Sequence, residues 1–269
     1  MAESSRERVR VAKAQRSQAA IMDLAKAMPE PPALVTNAGG FDLIAEVKLR
    51  SPAAGLLKSG DENVGARVAA YASAGAAAIS VLTEPSRFDG SMAHLEVATK
   101  ALAPLRVPAM RKDFLVDPYQ VIEARAAGAG GVLIILRMLP REILESLIEQ
   151  ALALNLFALL EAFDEEDIEL AHTLVERHRR ARLLVGVNCR DLVTLKVVPG
   201  RLESLARMLP TAIPRVAESG VGSVEDAARV AGVGYELALV GSALMTTQDP
   251  HALVQGMLAA GRSGKRRCG

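Results

Sequence analysis

The chain has 269 residues, half of them hydrophobic and 23% charged, with a formal net charge of +1 at pH 7. So balanced a charge argues against a general nucleic-acid or membrane-surface binder, and with 3% aromatics and no Trp, stacking platforms for single strands are poorly supplied. The length suits one large domain, since a single (β/α)8 barrel usually takes about 250 residues.

The N-terminal ten residues are charged and lack the apolar centre of a signal peptide, and no apolar run approaches the roughly 18 residues that span a bilayer. A cytoplasmic protein is therefore expected. Residues 5–28, rich in Arg, Ala, Gln and Lys, predict a moderately amphipathic helix stopped by Pro29, Pro31 and Pro32, with a disordered leader as the alternative. This segment precedes the first strand, so residues 1–40 are expected to be an N-terminal helical extension and 41–265 the catalytic barrel.

The first strand, Leu43–Lys48, carries Glu46 and Lys48 two residues apart and ends in the turn signal Ser51-Pro52. Alternate residues of a strand share a face, and a carboxylate and an ammonium buried together must pair or bind something charged. This is how a strand enters an active site; the alternative is a structural ion pair on an edge strand. Further short apolar segments follow at Ala78–Thr83, Val107–Lys112, Gly131–Leu136, Leu156–Glu161, Leu183–Asn188, Ile213–Glu218 and Leu237–Gly241, each succeeded by a helical pattern. Eight such units, with no composition break between them, predict an α/β fold consisting of one (β/α)8 TIM barrel rather than an open doubly wound sheet.

In such barrels the C-terminal strand ends build the site. Polar groups stand at seven of the predicted ends: Lys48; Thr83 and Glu84; Lys112 and Asp113; Glu161; Asn188 and Arg190; Glu218 and Ser219; Gly241 and Ser242. Singly each could be a helix cap or a surface charge. Their convergence on one face points to catalysis. Ser219-Gly220-Val221-Gly222 after strand seven and Gly241-Ser242 after strand eight both lead into helices, where backbone N–H groups favour an anion, and these loops are the usual phosphate site of the barrel. Lys48, Lys112 and Arg190 could hold an anionic substrate, and Glu161 with Lys112 could act as base and acid. Neither a dinucleotide nor a nucleoside triphosphate loop is present, and no metal-ligand spacing is visible, so no cofactor or metal is expected. Cys189 and Cys268 form no disulfide or metal pattern, and the four histidines, His94, His172, His178 and His251, fall in helical segments and are expected at the surface.

Ile44-Ala45-Glu46-Val47-Lys48 with Ser51-Pro52, Arg111-Lys112-Asp113-Phe114 with Tyr119-Gln120, Leu160-Glu161, Gly186-Val187-Asn188 with Arg190-Asp191-Leu192, Glu218-Ser219-Gly220 and Val240-Gly241-Ser242 together resemble the indole-3-glycerol-phosphate synthase family of tryptophan biosynthesis. The resemblance runs from strand one to strand eight. It implies closure of an indole ring on 1-(2-carboxyphenylamino)-1-deoxyribulose 5-phosphate with loss of CO2 and water. It further implies that Lys112 is the general acid at the ribulose carbonyl, Glu161 the base in dehydration, and Lys48, beside Glu46, a holder of the substrate anion that assists proton transfer. Asn188 and Arg190 would orient polar groups, with Ser51 also touching substrate; Glu218 would contact the sugar hydroxyls, and Ser219, Gly220, Gly241 and Ser242 the phosphate. Phe88, Phe114, Leu133, Leu192 and Leu239 would line the anthranilate pocket, and the N-terminal helix would close over the barrel mouth. Ala53, Phe163 and Cys189 depart from the residues common in the family at their positions. The implied partner is a small phosphorylated substrate, with no nucleic acid and no membrane, and the chain is expected to be a monomer or weak homo-oligomer. The alternatives are a sister phosphate-binding barrel such as phosphoribosylanthranilate isomerase, which would call for a Cys and Asp pair, or a weakened paralogue that binds a phosphorylated metabolite.

Overall fold

A computed structural model describes residues 1–37, 40–52, 55–58 and 62–266, so Ala53 and Cys268 lie outside the described residues. Eight parallel strands, β1 (Asp42–Val47), β2 (Ala78–Leu82), β3 (Ala109–Lys112), β4 (Gly131–Ile135), β5 (Phe157–Ala162), β6 (Arg182–Asn188), β7 (Arg215–Glu218) and β8 (Leu237–Val240), pair in sequence order. The last pairs with the first, with Ala45 opposite Val240, and closes a TIM barrel. Every expected strand is present. Two begin two residues later than the apolar pattern suggests because Pro108 and Pro214 have no N–H to give the ladder, although their carbonyls already accept from Ile79 at 3.0 Å and Val185 at 3.1 Å.

Side chains alternate between two environments along each strand, as a closed barrel requires. Ile44, Met110, Leu133, Leu159, Leu184 and Leu239 belong to a cluster that fills the inside of the barrel. Leu43, Ala45, Val81, Val132, Leu160 and Val185 face outward and merge with the apolar faces of the surrounding helices. Because the interior is filled below, charged side chains at the C-terminal strand ends stand on an apolar floor.

The N-terminal segment forms two helices, α1 (Ala2–Gln15) and α2 (Gln18–Ala27), rather than one. Arg16 is extended, and the Ser17 side chain then caps α2 by accepting from the Ala20 N–H. The first helix is pinned to the β3 loop: Arg8 donates from Nη1 and Nη2 to Asp113 at 2.8 and 2.7 Å, the Ser5 hydroxyl donates to the Phe114 carbonyl, and Tyr119 donates to the Arg16 carbonyl at 2.9 Å. The second helix lies along the helix Pro118–Ala126, burying Ile21 and Ala25. A small hairpin of Arg50–Ser51 against Gly55–Leu56, absent from the sequence-based expectation, follows β1. Contrary to that expectation His178 is buried, because the chain folds back at the end of the helix Glu165–Arg177 and the Ala181 N–H donates to the His178 carbonyl at 2.8 Å.

Candidate active site

A cavity of about 420 Å³ opens at the C-terminal end of the barrel, and every residue that the family resemblance assigned to the site lines it. The charged floor comes from the ends of alternate strands, β1, β3, β5 and β7. Glu46 and Lys48 share a face at the end of β1, with Nζ of Lys48 2.7 Å from Oε1 of Glu46. Lys112, at the end of β3, sets Nζ between two carboxylates, 3.4 Å from Oε2 of Glu161 and 3.2 Å from Oε2 of Glu218. Asn188 Nδ2 donates to the other oxygen of Glu161, and Asn188 Oδ1 accepts from the Arg190 N–H at 2.9 Å, so Asn188 ties β5 to the β6 loop.

Burial by itself would favour a neutral Lys112 amine, yet the charges of Glu161, Glu218 and Glu46 outweigh it and hold the group above the ordinary ammonium range. Lys112 therefore enters the site as a firmly protonated acid. Glu218 is also shifted upward: burial and the nearby Glu161 charge raise its carboxyl against the pull of Lys112. Three carboxyls and two ammoniums meet here, so a proton shared among the carboxyls relieves the excess negative charge.

The cavity changes character across its width. Phe88 and Phe114, with ring centroids 6.5 Å apart and a 44° tilt, form with Leu133, Leu192 and Leu239 an apolar wall. On the other side Ser219 and Gly220 both take left-handed backbone conformations, φ 63° and 68°. Glycine is needed at the second for a further reason, since a Cβ there would stand 2.7 Å from Sγ of Cys189. Cys189 itself is buried, which pushes its thiol upward, and it does not line the cavity. The Gly222 N–H is taken by Asp226 at 3.0 Å, while Gly241 and Ser242 open the short helix Ser242–Thr246.

Some strand-end groups serve the frame, Glu84 while also lining the cavity. Glu84 caps the turn Pro85–Phe88 by accepting from the Ser86 and Arg87 N–H groups. Thr83 does not line the cavity; its hydroxyl donates to Asp113 at 2.8 Å, and Asp113 also receives Arg111 at 3.1 Å. Phe163 packs under Arg137, whose guanidinium carbon lies 4.7 Å from the ring centroid. Rim residues without a sequence signal also contribute: Met1, which precedes α1, and Leu195 and Val197 from the loop after β6. Leu195 takes φ 60° and presents its carbonyl to Arg190 Nη1 at 2.7 Å. Among the described residues no group of three or more His, Cys, Asp or Glu side chains is placed to hold a metal ion, and no helix is long and apolar enough to cross a membrane.

Solved structures with the same architecture include 3-hexulose-6-phosphate synthase from Salmonella typhimurium (TM-score 0.63, 14% identity, covering 85% of this chain and 100% of that one). Thiamine phosphate pyrophosphorylase from Pyrococcus furiosus is similar in the same way (TM-score 0.60, 17% identity, 85% and 99%). At such identity the likeness concerns the fold. Sequence relatives are far nearer. Indole-3-glycerol phosphate synthase of Mycolicibacterium smegmatis is 42% identical over 245 residues, covering 90% of this chain and 86% of the relative. Indole-3-glycerol phosphate synthase 1 of Streptomyces coelicolor is 41% identical over 246 residues, covering 91% and 88%. The family model described as indole-3-glycerol phosphate synthase matches residues 1–257, a span that takes in both N-terminal helices, all eight strands and every group on the charged floor, and the chain belongs to that family.

Proposed function

We propose that this chain closes the indole ring of 1-(2-carboxyphenylamino)-1-deoxyribulose 5-phosphate, releasing CO2 and water, as a carboxy-lyase of tryptophan biosynthesis. The observation that carries the reading is the Lys112 ammonium shared by Glu161 and Glu218 on the floor of a cavity with one apolar wall and one glycine-rich wall. The substrate divides in the same way, into an aromatic ring and a sugar phosphate.

In this reading the anthranilate ring lies against Phe88, Phe114, Leu133, Leu192 and Leu239. The phosphate takes the loops of Ser219, Gly220, Gly241 and Ser242, where backbone N–H groups and helix dipoles favour an anion. Lys48 holds the carboxylate, Ser51 and Arg190 contact polar groups, and Glu218 meets the sugar hydroxyls. As the ring carbon bonds to the ribulose carbonyl carbon, negative charge grows on the carbonyl oxygen, and Lys112 gives it a proton. Loss of CO2 restores the ring electrons. Glu161, held by Asn188, then accepts a proton from the carbon next to the ring nitrogen, while Lys48 gives one to the hydroxyl, which leaves as water. The contacts of Lys112 with Glu161 and Glu218 supply what a general acid requires, a proton present before reaction and an acidic surrounding that lets it return.

The isomerase alternative would need a cysteine and an aspartate as acid and base, and Cys189 is buried against the Gly220 turn instead of facing the cavity. Residues 1–40 act in this reading as a rim extension of the catalytic barrel 41–265, in a cytoplasmic monomer or weak homo-oligomer. Incubation with the carboxyphenylamino-deoxyribulose phosphate, followed by indole absorbance or fluorescence, tests the proposal: indole product is expected, and recovery of unreacted substrate would refute it.

A further inference from the structure

Gly186 sits within β6, opposite Glu161 on one side and Val216 on the other. Its φ is not among the positive values that call for glycine, and it does not line the cavity, so neither backbone conformation nor substrate contact accounts for the missing side chain. What lies over it does. A Cβ at position 186 would stand 2.2 Å from Oε1 of Glu218, 3.1 Å from its Cδ and 3.2 Å from Cδ1 of Leu159. Glu218 Oε2 accepts from Lys112 Nζ at 3.2 Å, while Oε1 is buried and has no hydrogen-bond partner.

We propose that Gly186 is a positioning residue: by lacking a side chain it gives the Glu218 carboxyl a seat against β6, and that seat fixes the distance between Glu218 and Lys112. The inference rests on the reading of Lys112 as the acid. A methyl group on residue 186 would force the carboxyl away by about 1 Å to reach ordinary contact distance. The β6 backbone cannot yield, because it is paired on both sides within a closed barrel, and Cδ1 of Leu159 already crowds the added carbon from another side at 3.2 Å. The carboxyl must therefore move toward the cavity, where it either loses Lys112 or drives the ammonium against Glu161. A displacement of that size in a reacting group costs about 10²-fold in rate.

Two cycles test this. In the kinetic cycle, Gly186→Ala should lower kcat about 10²-fold, with any rise in KM no larger than that of Glu218→Ala, since residue 186 reaches the substrate only through Glu218. In a Glu218→Asp background, where the carboxyl is one methylene shorter, the same change should cost markedly less than it does with Glu218. The second cycle uses urea unfolding and no substrate: Gly186→Ala should destabilise the wild type but cost little beside Glu218→Ala, which removes the carboxyl it would strike. If Gly186→Ala alone does not fold, the double variant with Glu218→Ala should. Additive losses in both cycles, wild-type kcat in Gly186→Ala, or a double variant that also fails to fold would overturn the proposal. A wild type without turnover would refute the assigned reaction, while the unfolding cycle would still decide whether Gly186 seats Glu218.

Discussion

A Cβ on Gly241 would stand 2.3 Å from Oε1 of Glu46 and 3.0 Å from Nζ of Lys48. The glycine ahead of the helix Ser242–Thr246 thus leaves room for the first charged pair of the floor as well as for an anion at the helix start. Gly241→Ala should fold and lose turnover by displacing the Glu46–Lys48 pair. Gly241→Val, which also crowds the proposed phosphate loop, should raise KM in addition. Steady-state constants and a thermal melt on both variants check this, and unchanged constants in a folded Gly241→Val protein would count against the phosphate assignment.

The bridge between Arg8 and Asp113 fastens the N-terminal helix to the residue that follows Lys112. Asp113 is buried, which would raise its carboxyl, but Arg8, Arg111 and Thr83 hold it well below the usual carboxylate range. A depressed carboxyl contributes stability above its unfolded value, and that contribution is lost as pH falls. Arg8→Met should therefore cost about 1–3 kcal/mol at neutral pH, with the gap to wild type narrowing below about pH 4. Urea unfolding across pH measures both. A gap that stayed constant or widened in acid would show that Arg8 acts through packing alone.

Glu218 gives the opposite sign. Burial raises its carboxyl from 4.5 to about 8, so the folded protein holds a proton that the unfolded chain has released. Stability from this group is present at low pH and declines as pH rises through that window. Replacing Glu218 with Gln, which keeps the shape but has no proton to lose, should flatten the stability profile between those values. An equally steep decline in the variant would place the retained proton on another group.

Most of the barrel was legible in the sequence because its strands are covered on both faces and read as apolar runs between helical patterns. The charged floor was legible because a charge closing such a run is costly to bury unless it has a partner or a ligand: Lys112, Glu161 and Glu218 stand at three of those ends. The misses have separate causes. Thr83 is a strand-end polar group that does not reach the cavity, because its partner, Asp113, is fixed only by the fold. The hairpin at Arg50–Leu56 has strands of two residues, too short for any periodicity. Leu195 and Met1 reach the cavity through a left-handed loop residue and a docked helix, and neither position carries a local signal. The break at Ser17 did carry one, a serine ahead of an alanine-rich run, within a segment otherwise helical throughout.

Charge gives a further check. The proposed substrate bears a carboxylate and a phosphate, about three negative charges with −1.5 to −2 from the phosphate, and the cavity supplies Lys48, Lys112 and Arg190. Binding should weaken between low and physiological ionic strength as the attraction is screened. Affinity that did not change with salt would argue that the substrate anion is not held by these cations.

Single-turnover kinetics with enzyme in excess, recording CO2 release and indole formation together, put the division of labour at Lys112 and Glu161 to the most direct test. Lys112→Met keeps the stem of the side chain but removes the proton donor, so substrate should bind and decarboxylation should slow by about 10²–10⁴-fold. Glu161→Gln keeps shape and hydrogen bonding but cannot accept a proton, so CO2 should appear at close to the normal rate while an intermediate builds up before indole. Carbon dioxide release slowed as much in Glu161→Gln as in Lys112→Met would contradict the assignment of acid and base.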